Sequence, residues 1–342
     1  MRLFVKYSEV YARIIERNTE RITKVNQLSI VMYHYVRPIK NSAYPGIKGL
    51  ELDLFKEQIA FLKDHFHVIT MEEVIDAIRE KRQLPERAML LTFDDGYMDH
   101  YRYVFPVLKE YGMQGSFFVP SEILQYEKVL DVNKIHFILA CMDIEELLSE
   151  IYELLARYRK EGWQIEPDKV MFDKLAVANR WDPKEVIFVK RLLQSYLDEK
   201  LRGKIVGELF EKAVGVSEAE FSRQLYMNLT QIQEMKAAGM FFGLHGERHY
   251  WLNHLPADKM REDIVNGMRY FESVMDKDYL VMNYPYGGYN EEVVQCARDL
   301  GCMLGISVEA RHADLDIDNP MLLPRLDTND FPPKSNHWQE IL

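Results

Sequence analysis

Ala88-Met89-Leu90-Leu91-Thr92-Phe93-Asp94-Asp95-Gly96 decides the fold. An apolar run leads straight into two carboxylates, and a glycine follows. A buried strand therefore delivers both acids to its C-terminal lip, where Gly96 lets the backbone turn. Two adjacent acids at such a place are costly to hold unless something uses their charge. A second apolar run, Met240-Phe241-Phe242-Gly243-Leu244, leads likewise into His245-Gly246-Glu247-Arg248-His249. One Asp and two His at strand ends outline a metal site.

Working outward, short apolar runs recur at 30–33, 67–69, 89–93, 116–119, 240–244, 280–283, 303–307 and 322–326. Helical patterns lie between most of them. Phe55, Ile59 and Leu62 share one helical face; so do Val293, Ala297 and Leu300, with Gly301 placed to stop that helix. Alternating strands and helices predict parallel strands joined by right-handed crossovers. Seven or eight such strands predict a closed or nearly closed α/β barrel.

One connection breaks the alternation. Residues 122–228 carry helix signals and no convincing strand. Asp143 reads as an N-cap with Glu146 three residues on, and Ile144, Leu147, Leu148, Ile151, Leu154 and Leu155 keep one face apolar. Pro183 starts another helix, and Ser217 with Glu220 forms a further capping box. Thr230 and Gln233 open a short helix that Gly239 closes. The organisation expected is an N-terminal helical segment over 1–28, a discontinuous barrel over 29–121 and 229–342, and an all-helical insertion over 122–228. An insertion of about a hundred residues is far longer than the usual connection. It is expected to pack on itself, to shape the substrate entrance or to meet a second copy of the chain in a homo-oligomer.

The bulk numbers exclude several classes. With 342 residues, 47% hydrophobic and 28% charged, the chain buries a sizeable core. Its net charge of −11 argues against a nucleic-acid surface or an anionic membrane. No apolar run approaches the roughly 18 to 20 residues of a transmembrane helix. Residues 1–28 are broken every few positions by Arg, Lys or Glu, unlike a secretory signal. Cys141, Cys296 and Cys302 are odd in number and form no CxxC. Free thiols and a cytoplasmic location are the expectation.

Functional groups of α/β barrels gather where strands end. Three groups obey that rule: His34, the Asp94/Asp95 pair, and His245 with His249. A His-x-x-x-His pair alone is weak evidence, since 10 His in 342 residues give roughly 0.3 such pairs by chance. Its position at a strand end, with an acid pair at another, favours ligation over a surface or core role. The zinc-protease motif is excluded, because Gly246 stands where that motif needs Glu. Glu247, one residue further, is expected to be solvated. A hydrolytic metal keeps one position for water and lowers its pKa. One acid can ligate while its neighbour accepts the water's proton. Adjacent side chains diverge on a strand, so such a split is natural. The pattern alone does not assign which acid takes which role.

These motifs resemble those of the polysaccharide deacetylases, the NodB-like carbohydrate esterases. The resemblance implies a distorted (β/α) barrel of about seven parallel strands and removal of acetyl groups from sugars. Thr92-Phe93-Asp94-Asp95-Gly96 matches the family's first motif throughout, implying Asp94 as general base and Asp95 as metal ligand. His245 and His249 match its second, His-Ser/Thr-x-x-His, as ligands of a divalent ion, Zn2+ foremost. Asn283-Tyr284-Pro285-Tyr286 matches the third, Arg-x-Pro-Tyr, in part, and implies that the Tyr286 backbone N–H binds an oxyanion.

Three departures stand out. Gly246 replaces a hydroxyl residue that braces the ligand loop. Asn283 replaces an arginine that orients the base. The late Leu-x-x-His that carries the general acid is missing, and Leu322-Leu323-Pro324-Arg325-Leu326-Asp327 stands there instead. In circularly permuted members, including poly-N-acetylglucosamine deacetylases, the acid histidine precedes the Asp pair in a Tyr-His motif. Tyr33-His34 is similar, which implies His34 as the general acid. Arg325, at a late strand end, is the candidate for the missing guanidinium, set against the ordinary reading of a structural ion pair. Tyr97 and Tyr289 follow the motifs and are candidates to stack on a sugar ring, although such residues more often pack.

The function implied is a metal-dependent hydrolase that removes the acetyl group of an N-acetylated amino sugar in surface-polysaccharide or glycoconjugate biosynthesis. A cytoplasmic enzyme would meet nucleotide- or lipid-linked precursors rather than finished polymer. Alternatives are a hydrolase of another amide or ureide C–N bond and a catalytically inactive sugar-binding homologue. A two-His-one-carboxylate iron oxygenase is disfavoured by the paired Asp.

Overall fold

A computed structural model describes residues 26–178 and 182–335. β1 (Gln27–Tyr33) pairs in parallel with β2 (Ala88–Asp94), and β2 with β3 (Ser116–Val119). The sheet continues in parallel through β4 (Phe241–Leu244), β5 (Val281–Asn283) and β6 (Leu304–Ile306). It then curls back on itself. Leu323 bridges Ile306 of β6, and β7 (Leu326–Asp327) pairs with β1 at Val31↔Leu326. Seven parallel strands thus make the distorted (β/α) barrel.

Two of the expected strands differ. The strand at His67–Val68 pairs with the first residues of β2, ahead of β3, and lies outside the ring. The last strand starts late, because Pro320–Leu322 forms a 3-10 turn and only Leu326–Asp327 keeps strand geometry.

Every residue of β2 is buried, as befits a strand covered on both faces. Alternation sorts its neighbours into two cores. Leu28, Ile30, Leu90, Phe118, Phe241, Val281, Leu304, Ile306 and Leu323 form one cluster with Met71, Val74 and Ile75 of the helix Met71–Glu80. Val31, Tyr33, Met89, Leu91 and Phe93 belong to the other, with Phe55, Ile59 and Leu62 of the helix Leu52–His65.

Between β3 and β4 the chain forms helices Asp131–Cys141, Ile144–Lys160, Asp168–Leu175, Lys184–Arg191, Glu199–Val214 and Glu218–Leu225. Asp143 caps its helix by accepting from Glu145 N at 2.9 Å. Ser217 accepts from Glu220 N at 3.4 Å. The following helix, Leu229–Ala237, starts earlier than Thr230 and Gln233 suggest: Asn228 and Gln231 form the reciprocal capping box. Phe221 packs edge-on against Phe137 and Phe210, with ring centroids 4.7 and 5.0 Å away.

The N-terminal helical segment expected over 1–28 lies, up to residue 25, outside the described residues. Gln27 and Leu28 already belong to β1. Among the described residues no helix is long and apolar enough to cross a membrane.

Candidate active site

Period-two alternation carries the site. Ile30, Leu90, Phe241, Val281 and Leu323 share the first core cluster. Counting on in twos along each segment gives His34, Asp94, His245, Asn283 and Arg325. His34, Asp94, His245 and Asn283 lie where their strands run out, and Arg325 stands immediately before β7. Six described non-glycine residues have a positive φ, and three of them meet here: Asp95 at 73°, His249 at 55° and Tyr286 at 58°. Such backbone costs of order 1 kcal/mol or more each and persists where surroundings enforce it.

Asp95, His245 and His249 are buried and offer ligand atoms within 4.8 Å of one another. The Nε2 atoms of His245 and His249 lie 3.5 and 3.3 Å from Asp95 Oδ1. His245 Nδ1 lies 2.7 Å from the Asn283 carbonyl oxygen. A carbonyl only accepts, so that nitrogen carries the proton and Nε2 presents its lone pair. Asp95 Oδ2 accepts from the Tyr97 hydroxyl at 2.6 Å. Asp95 Oδ1, by contrast, is buried with no hydrogen-bond partner. A buried carboxylate oxygen without a donor, facing two imidazole nitrogens, is a fitting donor set for a divalent ion such as Zn2+. Burial pushes the Asp95 carboxyl up, but His249 and His245 outweigh it and hold it well below the usual carboxylate value.

Asp94 points to other partners. Arg325 Nη1 lies 2.9 Å from both of its oxygens. Asn283 Nδ2 donates to Oδ1 at 2.8 Å. Arg325 also holds Asn283 Oδ1 at 3.1 Å, the Ser307 carbonyl at 3.0 Å and Thr92 Oγ1 at 3.3 Å. Arg325 therefore lies against Asp94, and Asn283 works beside the guanidinium as a second donor. His34 Nε2 is 3.9 Å from Asp94 Oδ2, on a side chain 41% exposed. Burial raises the Asp94 carboxyl, yet Arg325, with His34 and His245, leaves it below the usual value.

The ligand loop is braced from elsewhere. Asp263, on the helix Ala257–Tyr270, accepts from Glu247 N and Arg248 N, both at 3.0 Å. Gly246 has φ +71°, and a Cβ there would run into Asp263 Oδ2. The glycine thus makes room for a carboxylate that does the bracing. Glu247 corrects an expectation: it is buried, at 5% exposure, and accepts from Asn266 Nδ2 at 2.9 Å.

The two candidate stacking tyrosines separate. Tyr97 is wholly buried, so it has no ring face to offer a sugar. Its hydroxyl donates to Asp95 and accepts from Asn133 Nδ2 at 2.7 Å, tying the helix Asp131–Cys141 to the Asp95 carboxylate. Tyr289 is 38% exposed beside Tyr284, 5.7 Å between rings. Tyr286 stacks on Trp251 at 4.8 Å and meets the His249 ring edge-on at 4.5 Å. His249, Trp251 and Tyr286 line a cavity of about 330 Å3 whose other walls include Asp131, Lys134 and Arg202 from the helices between β3 and β4.

The sequence profile described as polysaccharide deacetylase matches residues 81–168 and 216–305, just over half of the chain. The chain belongs to the polysaccharide deacetylase family. The matched stretches hold Asp94, Asp95, His245, His249, Asn283 and Tyr286, while His34 and Arg325 lie outside them. Over 294 residues the chain is 19% identical to YxkH of Bacillus subtilis (strain 168), covering 86% of this chain and 68% of that one. Over 57 residues it is 39% identical to the poly-beta-1,6-N-acetyl-D-glucosamine N-deacetylase of Escherichia coli (strain K12), covering 16% of this chain and 8% of that one. The fold is like that of the Streptococcus pyogenes deacetylase PplD in complex with acetate, with a TM-score of 0.57 at 18% identity, covering 93% of this chain and 100% of that one.

Within this site, Asp263, Asn133 and the buried role of Tyr97 lie outside what the strand-end motifs signal. Asp263 sits on the apolar-striped helix that follows the ligand loop, and an acid placed to be buried there was the available signal. Asn133 gave none, because its partner is 36 residues away.

Proposed function

We propose that the protein is a metal-dependent hydrolase that removes the acetyl group from an N-acetylated amino sugar. The observation that carries this is the pairing of roles at the end of β2. Asp95 faces His245 and His249, while Asp94 is held apart by Arg325 and Asn283. A divalent ion bound by Asp95, His245 and His249 would supply a Lewis acid and a water of lowered pKa.

The chain's own residues do the rest. Asp94 is kept ionised by Arg325 and so can accept a proton from the attacking water. Its Oδ1 meets both Asn283 and Arg325, whereas Oδ2 meets Arg325 alone and faces His34, so Oδ2 is the oxygen with room to accept the proton. The backbone N–H of Tyr286 is assigned to the oxyanion that develops on the acetyl oxygen. His34, partly exposed, donates a proton to the departing amine. Water adds, the C–N bond breaks, and the products are acetate and the free amino sugar.

Acetate release from N-acetylglucosamine oligomers, with and without added Zn2+, tests this. The expected result is release that stops on chelation and in Asp94→Asn. Full activity in metal-free Asp95→Ala protein overturns it. Ammonia in place of acetate from an amide or ureide panel would assign the other C–N hydrolase.

A further inference from the structure

We propose that the cavity beside the metal ligands contains a recognition site for an oxyanion carried by the substrate (a phosphate or carboxylate on the acetylated sugar), with Arg202 as its anchor. This rests on the deacetylase reading and names its substrate class.

The cavity of about 330 Å3 is shared by His249 and Tyr286 from the barrel and by Arg202, Gly203 and Gly207 from the helix Glu199–Val214. Its cations are not equivalent. Lys134 lies 2.9 Å from Glu218 and 3.6 Å from Asp131. Lys128 lies 3.3 Å from Glu218, and Arg248 3.7 Å from Glu247. Arg202 has no carboxylate partner among the described residues, and its Nε is buried without a hydrogen-bond partner. Arg202 itself is half-buried, with the rest of its guanidinium left to face the cavity. A buried N–H left unpaired costs stability unless a ligand completes it, and the planar fork suits phosphate and carboxylate. The remaining carboxylate of the cavity, Glu122, is pushed up by burial to about 7, so its charge opposes an anion only in part.

The neighbouring glycines point the same way. Gly203 and Gly207 are four residues apart and share a face of one helix. A Cβ at either would meet nothing within 4 Å, so packing does not demand glycine. A helix-interior glycine is destabilising relative to alanine. What their missing side chains provide is open space beside Arg202, in the same cavity as Trp251 and Tyr286. All three residues fall between the two stretches matched by the family profile. That is a fitting place for selectivity rather than for shared chemistry.

Steady-state kinetics on N-acetylglucosamine, N-acetylglucosamine 1-phosphate and N-acetylmuramic acid, with wild type and Arg202→Ala, test the site. The expected result is a KM for one anionic sugar that rises about 10- to 100-fold in Arg202→Ala, with kcat and the neutral sugar unchanged. The phosphate and carboxylate substrates distinguish the source of the oxyanion. Gly203→Ala and Gly207→Ala are expected to raise the melting temperature and yet to raise KM. Calorimetric titration of metal-free protein with glucosamine 1-phosphate and with muramic acid gives a readout independent of turnover. Binding of one of them is expected in wild type and lost in Arg202→Ala. Equal effects of Arg202→Ala on neutral and anionic ligands, or no effect on either, overturn the proposal. Absence of acetate release from every sugar refutes the deacetylase reading instead, while the titration still decides the oxyanion site.

Discussion

Arg325 Nη1 lies 2.9 Å from both carboxylate oxygens of Asp94, across 231 residues of sequence. Both residues are almost fully buried, at 2% exposure each. The pair is completed by Asn283, which binds Asp94 and Arg325 at once. Such a network fixes the orientation of Asp94 and keeps it charged in a place where burial alone would neutralise it.

Arg325→Ala leaves Asp94 buried without its counter-charge. Removing one partner of a buried pair costs about 3–5 kcal/mol, so a marked fall in melting temperature is expected. Acetate release is expected to fall by about 100-fold or more as Asp94 loses its charge or its orientation. Arg325→Lys is not expected to rescue, because an ammonium cannot hold Asp94, Asn283 and the Ser307 carbonyl together. Near wild-type turnover in Arg325→Lys would show that charge alone suffices.

Tyr97→Phe removes the hydroxyl that holds Asp95 Oδ2 and strips Asn133 Nδ2 of its acceptor. Residues that orient metal ligands typically contribute about 10- to 100-fold in metal affinity. The dissociation constant for Zn2+, measured against a competing chelator, is expected to rise in that range. Unchanged affinity would mean that Asp95 is positioned by its backbone alone, with φ at 73°.

Much of this site is legible in the sequence because period-two alternation is local. Once 88–91 reads as a buried strand, Asp94 follows Leu90 by four residues and must share its face. The same counting takes Phe241 to His245 and Leu323 to Arg325. What lies off the strands is not legible in that way. Asp263 reaches the ligand loop from a neighbouring helix, and Asn133 reaches Tyr97 from the helices between β3 and β4. Neither spacing carries a period. Glu247 reads as solvated because a lone acid in a polar loop usually is; Asn266, one helix away, gives it a buried partner. The start of the helix Leu229–Ala237 is misread by two residues because Asn228 and Thr230 are both good caps, and Gln231 decides between them by closing the capping box.

Gly246→Ala meets two obstacles at once: a φ of +71° and the Asp263 carboxylate in the path of the new Cβ. A loss of roughly 1–3 kcal/mol is expected, with weaker metal binding as the loop shifts. Asp263→Ala removes the acceptor of two loop amides and is also expected to weaken metal binding. The double variant is expected to lose less than the sum of the two singles, because the collision disappears with the carboxylate. Strict additivity in thermal stability and metal affinity would show that Gly246 and Asp263 do not act as a unit.

Asp263 and Glu122 also set a pH dependence of stability. Burial raises the Asp263 carboxyl from 3.8 to about 6, against the loop amides that favour its charge. Burial likewise raises Glu122 from 4.5 to about 7. In this range the folded chain holds both protons more tightly than the unfolded chain does. Their contribution to stability is therefore fully present below the ordinary values and is lost as pH rises through about 6 to 7. Asp94 and Asp95 act with the opposite sign in a separate window. Both are held below the ordinary 3.8, so their contribution is present above it and is lost only as pH falls below it. Between pH 4.5 and 7.5 the melting temperature of wild type is thus expected to decline relative to Glu122→Gln, by on the order of 2 °C or more. Asp263→Asn is expected to flatten the lower part of the same curve. Melting curves for wild type and both variants that run parallel across this range would show that neither carboxyl titrates differently on folding.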